Sequence, residues 1–437
     1  MKKISPVVII ILSFFVTILA GTLIFKLPIS IQNGKDITWM DSFFLSTSAT
    51  CVTGLTTIAD IGATLSVFGK IVLAILIQIG GLGTITISTL IFLFIGAKLG
   101  INDRFLLKEA LNQNSIVNIQ LLVKSIIKIT LCIEIVGAII NFFVFINYYD
   151  FFSAIGIGIF HSISAFCNAG FDILGNSSLI NYSNNIVLNI NTMLLVVLGG
   201  LGFIVIMDLL KNKFNYKKLT NHSKIVITMT VSLILFGTLF IKLSMADNVN
   251  WLEAIFQSVT SRTAGFATIN CASLTSSAVL IMSILMIIGA SPSSTGGGIK
   301  TTTLYTMIKS MVSFSKGKQT IVSNRKISET SKLKAFTLFF FAITIISIAT
   351  IAILIIEEKN ANFNLINILF ETCSAFGTVG LSMGITPIFS NASKIIICIL
   401  MFFGRIGPIT IMGMWNTHWN RPNVNNVDYL EEKILIG

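Results

Sequence analysis

Four short stretches of the 437-residue chain share one pattern, a glycine followed by a large apolar residue. They are Val52-Thr53-Gly54-Leu55, Asn168-Ala169-Gly170-Phe171, Thr263-Ala264-Gly265-Phe266 and Thr378-Val379-Gly380-Leu381. None offers a general base or a thiolate, so the chemistry available to them is that of the main chain. A ring of backbone carbonyls can replace the hydration shell of a cation. Glycine suits such a ring because the backbone needs angles, and a closeness of approach, that a Cβ would block.

A second candidate follows the third stretch. Gly289 opens a run that holds Ser291-Pro292-Ser293-Ser294-Thr295-Gly296-Gly297-Gly298 and leads through Ile299 to Lys300. Proline removes a helix donor and clashes with the preceding turn, so an apolar helix must break here. The freed polar groups then need water or a cation, which reads as an intramembrane gate below the carbonyl ring. A phosphate-binding loop is excluded, because that motif puts glycine directly before lysine and Ile299 intervenes.

Two cations belong to this group, because charge inside a bilayer costs at least about 2.5 kcal/mol and marks function. Arg405 falls at the depth of the broken loop, where its charge would repel cations; that fits a barrier or gate partner, with pairing to Glu134 or to carbonyls as the alternative. Lys300 reads the same way, or reaches the cytoplasmic side. Arg262 reads as a brace behind the third stretch, directed at Glu253 or Glu371. Asp41, Asp150, Asp172, Asp247 and Glu253 are expected near an outer mouth, where acids raise local cation concentration. His161, His222 and His418 are isolated. No catalytic constellation and no metal spacing is present, so an enzyme is not expected.

The elements that must position these residues are membrane helices. Hydrophobic residues make up 54% of the chain and charged ones 11%, against roughly 25% charged in soluble domains. Apolar runs near 6–26, 66–97, 121–146, 184–210, 225–245, 275–308, 334–356 and 389–415 each reach the roughly 20 residues a membrane helix needs. The first is too long for a signal peptide's apolar region. Residues 2–3, 98–124, 211–224, 309–334 and 416–437 carry 20 of the 30 Lys and Arg. Cytoplasmic loops carry such an excess, so the net charge of +12 reports topology, both termini inside, and not a nucleic-acid partner. Six cysteines without a CxxC pair read as free thiols.

The four stretches organise these spans. Each follows a run too short to cross a membrane, and glycines recur 26, 29, 24 and 24 residues beyond Gly54, Gly170, Gly265 and Gly380, at Gly80, Gly199, Gly289 and Gly404. Each copy therefore reads as span, re-entrant half-helix, glycine loop, span. Two crossings per copy give all four the same orientation, related by rotation about the membrane normal. The expected fold is all-α and integral to the membrane, with eight transmembrane helices and four half-helices around a pseudo-fourfold axis. One pore-forming domain spans 1–437: repeat 1 at 1–97, a cytoplasmic loop at 98–120, repeat 2 at 121–210, repeat 3 at 225–316, repeat 4 at 334–415 and a tail at 416–437. A carrier with inverted repeats and midplane carboxylates is disfavoured, since these repeats are parallel.

Four stretches in register with eight spans make the chain resemble the Trk/Ktr/HKT potassium transporter superfamily, most closely its bacterial KtrB membrane subunits, over essentially its whole length. The resemblance implies a potassium-uptake pore in the plasma membrane with K+ at the filter carbonyls, and no cofactor in this chain. Na+ enters as a candidate activator, or as a coupled or co-conducted ion. It implies a homodimer on a cytoplasmic KtrA-like nucleotide-binding ring, with loops 211–224 and 309–334 as docking face and the tail at the dimer interface. Gly54 resembles the potassium-selective members, whose plant relatives that pass sodium carry serine there. Gly54→Ser is accordingly expected to loosen potassium preference; potassium-over-sodium uptake equal to the parent's would count against this assignment.

Overall fold

The structure, a computed structural model, describes residues 6–84, 86, 87, 89, 107, 119–322, 325–358 and 363–407. A long apolar helix, a short helix, a left-handed turn and a third helix recur in order. The first copy has α1 (Pro6–Phe25), α2 (Trp39–Thr50) and α3 (Val67–Leu82). The second has α4 (Ile119–Phe145), α5 (Phe151–Phe166) and α6 (Ile186–Leu201), followed by α7 (Phe203–Lys211). The third has α8 (Asn221–Met245), α9 (Trp251–Thr260) and α10 (Ser276–Ile287), then a loop and α11 (Thr301–Ser315). The fourth has α12 (Glu329–Ile356), α13 (Leu365–Gly377) and α14 (Asn391–Ile406). A hairpin of β1 (Ile321–Val322) and β2 (Arg325–Lys326) lies between α11 and α12 and pairs Ile321 with Lys326.

Among the described residues α1, α4, α8 and α12 are long and apolar enough to cross a membrane, and α6 with α7 forms a pair bent by 98°. The protein is thus a multi-pass membrane protein. Length and apolarity single out fewer helices than the eight spans expected, because among the described residues the third helix of each copy ends after 12 to 16 residues. The polypeptide leaves α3, α6 and α14 at Gly83, Gly202 and Gly407, with φ of +87°, +92° and +87°, a left-handed backbone that glycine adopts freely. In the third copy α10 stops ahead of the Ser-Pro-Gly run. Most of the span expected beyond 84, the loop 98–120 apart from 107, 119 and 120, the continuation past 407 and the tail 416–437 lie outside the described residues.

Each short helix starts from a side-chain cap that satisfies otherwise orphaned N–H groups. Thr38 with Asp41, and Asn250 with Glu253, form capping boxes. The carboxylate of Asp150 accepts from the amide of Ser153, and the side chain of Asn364 from that of Asn367. These helices also carry much of the core: Phe44, Phe166, Phe256, Phe370 and Phe376 are all fully buried. The long helices do the opposite. α8 leaves Leu235, Phe236, Leu239, Phe240 and Leu243 exposed, the surface expected of a helix whose solvent is lipid. Short helices inside and long ones outside put the irregular backbone where protein can satisfy it. All six cysteines are free.

Candidate functional site

The four glycine stretches come together, and they do so in cyclic order. Val52, Asn168, Thr263 and Thr378 take positive φ, at +56°, +59°, +80° and +51°; two residues later Gly54, Gly170, Gly265 and Gly380 do so again, at +94°, +67°, +87° and +96°. Such angles in non-glycine residues cost about 1–3 kcal/mol each and persist only where the surroundings impose them. What imposes them is mutual contact. A Cβ on Gly54 would collide with the carbonyl oxygen of Ala169, one on Gly170 with that of Ala264, one on Gly265 with that of Val379, and one on Gly380 with that of Thr53. The same methyls would lie between 2.8 and 3.3 Å from the α-carbon of the next glycine. Thr53, Ala169, Ala264 and Val379 thus supply four carbonyls to one closed ring, and each is fully buried. Asn168 adds a side-chain link between copies, its amide 3.1 Å from the Thr263 hydroxyl.

A hydroxyl on each short helix fixes the adjoining backbone, a role the sequence reading missed. Ser48 and Ser374 accept from the amides of Gly54 and Gly380, both at 3.1 Å. Ser164 donates to the carbonyl of Phe171 at 2.6 Å and Thr260 to that of Phe266 at 2.7 Å. The signal was available as Ser or Thr six residues before Gly54, Gly170 and Gly380 and five before Gly265. Glu371 was also missed in this role. Its carboxylate is fully buried in α13 and accepts from Ser382 Oγ at 2.6 Å, Met383 N at 3.0 Å and Thr386 Oγ1 at 2.9 Å. It therefore ties the chain leaving Gly380 back to the helix that led into it.

The Ser-Pro-Gly loop lies directly beneath the ring. A Cβ on Gly296 would meet the Thr263 hydroxyl, and one on Gly297 would come 2.5 Å from that of Thr378, which itself accepts from Gly297 N at 3.0 Å. The loop's amides are satisfied by neighbouring copies: Ser291 N donates to Gly200 O at 3.0 Å, Thr295 N to Gly199 O at 3.3 Å and Gly298 N to Gly404 O at 3.3 Å. Ser293 O in turn accepts from Phe203 N at 2.9 Å. Pro292 O sits against Gly202, where a Cβ would touch it at 2.5 Å. Within the loop Ser294 Oγ donates to Ser291 O at 2.6 Å.

Arg405 closes this assembly. Its guanidinium donates to Thr295 O in the loop and to Gly80 O and Gly81 O at the end of α3, the last at 3.0 Å. Of the two alternatives for Arg405, it pairs with carbonyls and not with Glu134, whose carboxylate accepts from Gln78 Nε2 at 3.2 Å. Lys300 turns back into its own loop and donates to Gly296 O at 2.7 Å. Arg262 does not reach Glu253 or Glu371. Glu253 accepts from its own cap residue Asn250 and Glu371 from three local donors, while Arg262 points to α8, with Nη1 3.5 Å from Thr230 O.

Above the ring a cavity of about 460 Å³ opens, lined by Gly54, Gly170, Gly265 and Gly380 together with Asp172. Most of the other expected mouth acids are occupied elsewhere. Asp150 and Glu253 cap helices, and Asp41 holds Thr38 and Thr57 with Lys394 3.8 Å away. No three His, Cys, Asp or Glu side chains among the described residues are gathered to hold a metal ion. The arrangement gathers four main-chain carbonyls at one place beneath this cavity.

Comparison with known proteins agrees with that geometry. The family model described as TrkH, cation transport protein, matches residues 6–415. The chain is 36% identical over 446 residues to Ktr system potassium uptake protein B of Bacillus subtilis, covering 100% of this chain and 97% of the relative. It is 35% identical over 446 residues to the potassium/sodium uptake protein NtpJ of Enterococcus hirae, covering 100% and 98%. The crystal structure of the potassium transporter TrkH from Vibrio parahaemolyticus superposes with a TM-score of 0.75 at 18% identity, over 96% of this chain and 87% of that one.

The Glu371 brace yields a direct test. Glu371→Gln exchanges one acceptor oxygen for a donor and strands at least one buried partner, at a cost of about 1–3 kcal/mol. Unfolding of the detergent-solubilised protein is expected at lower denaturant, with faster protease cleavage within 381–388. A variant as stable and as resistant as the parent would show that the carboxylate does not brace this segment.

Proposed function

The chain belongs to the TrkH family of cation transport proteins, and we propose that it is the potassium-conducting membrane subunit of a bacterial uptake system. In this reading Val52-Thr53-Gly54, Asn168-Ala169-Gly170, Thr263-Ala264-Gly265 and Thr378-Val379-Gly380 form a selectivity filter, and Ser291 to Gly298, Lys300 and Arg405 form the gate. One observation carries it: four glycine contacts close into a ring, and the broken loop lies immediately beneath, held from every side. The architecture proposed is four span–half-helix–span repeats about a pseudo-fourfold axis, with the repeat boundaries given above. The basic loops support a cell-membrane orientation with both termini in the cytoplasm.

The mechanism follows from charge and geometry. A K+ ion that sheds water in the outer cavity exchanges it for filter carbonyls, as carbonyl rings do in potassium channels. Below them the loop fills the path, and the Arg405 guanidinium adds electrostatic repulsion to steric block. Charge-assisted hydrogen bonds of this kind contribute about 1.5–3 kcal/mol each, so Arg405, with one bond to the loop at Thr295 O and two to the end of α3, ties the loop shut until something pulls α11 or α14 away. We assign that role to a cytoplasmic KtrA-like nucleotide-binding ring seated on loops 211–224 and 309–334 beneath a homodimer. Two relatives whose names place them in a Ktr system support a multi-component assembly. The alternative is a sodium-coupled or less selective K+/Na+ transporter, favoured by the likeness to NtpJ.

Reconstituted protein is expected to show potassium flux that exceeds sodium flux and collapses in Gly170→Asp. Shortening Ser291 to Gly298, or Arg405→Gln, is expected to raise flux about tenfold or more, since either removes bonds whose loss shifts a two-state equilibrium by at least that factor. Absence of potassium flux with any partner would overturn the function. Parental flux in both gate variants would overturn the gate alone.

A further inference from the structure

Where the third copy passes into the fourth, the last turns of α11 and the first turns of α12 part around a groove of about 570 Å³. One wall is apolar, formed by Met311, Phe314, Leu333 and Phe336; Phe314 is 90% exposed and Leu333 70%. Leu333, Phe336, Phe340 and Ile343 follow at three- and four-residue spacing and share one face of α12, so the apolar wall continues into the surface that helix shows to lipid. The other wall is polar and basic. Ser310 lines it, a residue 93% buried whose hydroxyl has no partner among the described residues. Thr320 and Lys318 stand beside it, and Lys318 makes no ion pair among the described residues. Glu329 also lines the groove, but Lys332 at 2.9 Å and Lys326 at 4.0 Å neutralise it. Residues 309–334 hold seven basic side chains against this single acid.

We propose that the groove is a site for an anionic phospholipid. Lys318 with the Ser310 and Thr320 hydroxyls receives the phosphate, and an acyl chain lies along Leu333, Phe336, Phe340 and Ile343. Basic pockets between membrane helices on the cytoplasmic side recognise lipid headgroups in this way. The apolar wall selects lipid over a soluble anion, and its continuity with the lipid-facing side of α12 selects lipid over a protein segment. Placement in the cytoplasmic leaflet rests on the orientation proposed above; the binding chemistry does not.

The full chain, purified in detergent with equal phosphatidylglycerol and phosphatidylcholine, is examined by native mass spectrometry for retained lipid. Preferential retention of phosphatidylglycerol is expected. Lys318→Gln should reduce that preference about fivefold, the effect of one interfacial lysine, and Ser310→Val should lower it further. Lys217→Gln with Lys218→Gln, in the other basic loop, should leave it unchanged. Equal retention of both lipids would overturn the proposal, as would a preference that survives Lys318→Gln with Ser310→Val or falls equally in the 217/218 control. Competition by free glycerol phosphate at the concentration of the lipid would also overturn it, assigning the groove to a soluble anion. Potassium flux from the same preparations reports separately on the transport function, so failure of one leaves the other legible.

Discussion

Everything in this molecule is arranged around four places where a side chain cannot exist. Each ring glycine faces the carbonyl that precedes the next copy's glycine, at a distance that leaves no room for a methyl group. The approach fixes the depth at which all four short helices end. Those helices in turn need buried flanks and a capped start, which Thr38, Asp150, Asn250 and Asn364 provide. The same constraint passes to the following helices: a Cβ on Gly80, Gly199 or Gly404 would strike the carbonyl of Thr50, Phe166 or Phe376. The glycines of both sets therefore answer to one packing problem, the close stacking of helix ends around an axis.

The sequence made much of this legible because glycine and proline act locally. Gly54, Gly170, Gly265 and Gly380 announced themselves by spacing, Pro292 and the three glycines after Thr295 announced a break, and Arg405 stood out as a charge in an apolar run. Less visible was anything that depends on what lies opposite. Arg262 reads as a partner for a carboxylate until Glu253 proves to be a helix cap and Glu371 a clamp on the chain after Gly380. The expected mouth acids belong to the same class, since Asp41 and Asp150 serve capping roles that composition cannot distinguish from a vestibule. The recurring glycines from Gly80, Gly199 and Gly404 marked breaks in these spans too, but the apolar runs that pass through them hid where each helix ends. Only the φ of Gly83, Gly202 and Gly407 reveals the turn.

The third copy departs from the others, and the departure has a cost that its neighbours meet. An irregular segment at membrane depth exposes amide and carbonyl groups that lipid cannot satisfy. Here Gly199 and Gly200 from the second copy, Thr378 and Gly404 from the fourth, and the Arg405 bridge to Gly80 and Gly81 of the first take up those groups. The loop is consequently held by bonds to the three other copies as well as by its own Ser294–Ser291 and Lys300–Gly296 contacts.

The order of contacts around the ring has one more consequence, for the way the protein is made. Three of the four contacts join consecutive copies, and the fourth joins Gly380 to Thr53, the last copy to the first. A growing chain delivers its copies in sequence, so this final contact forms only when nearly all of the polypeptide has been synthesised. Until then the first three copies can make only two of the four contacts, and the ring of carbonyls stays unclosed.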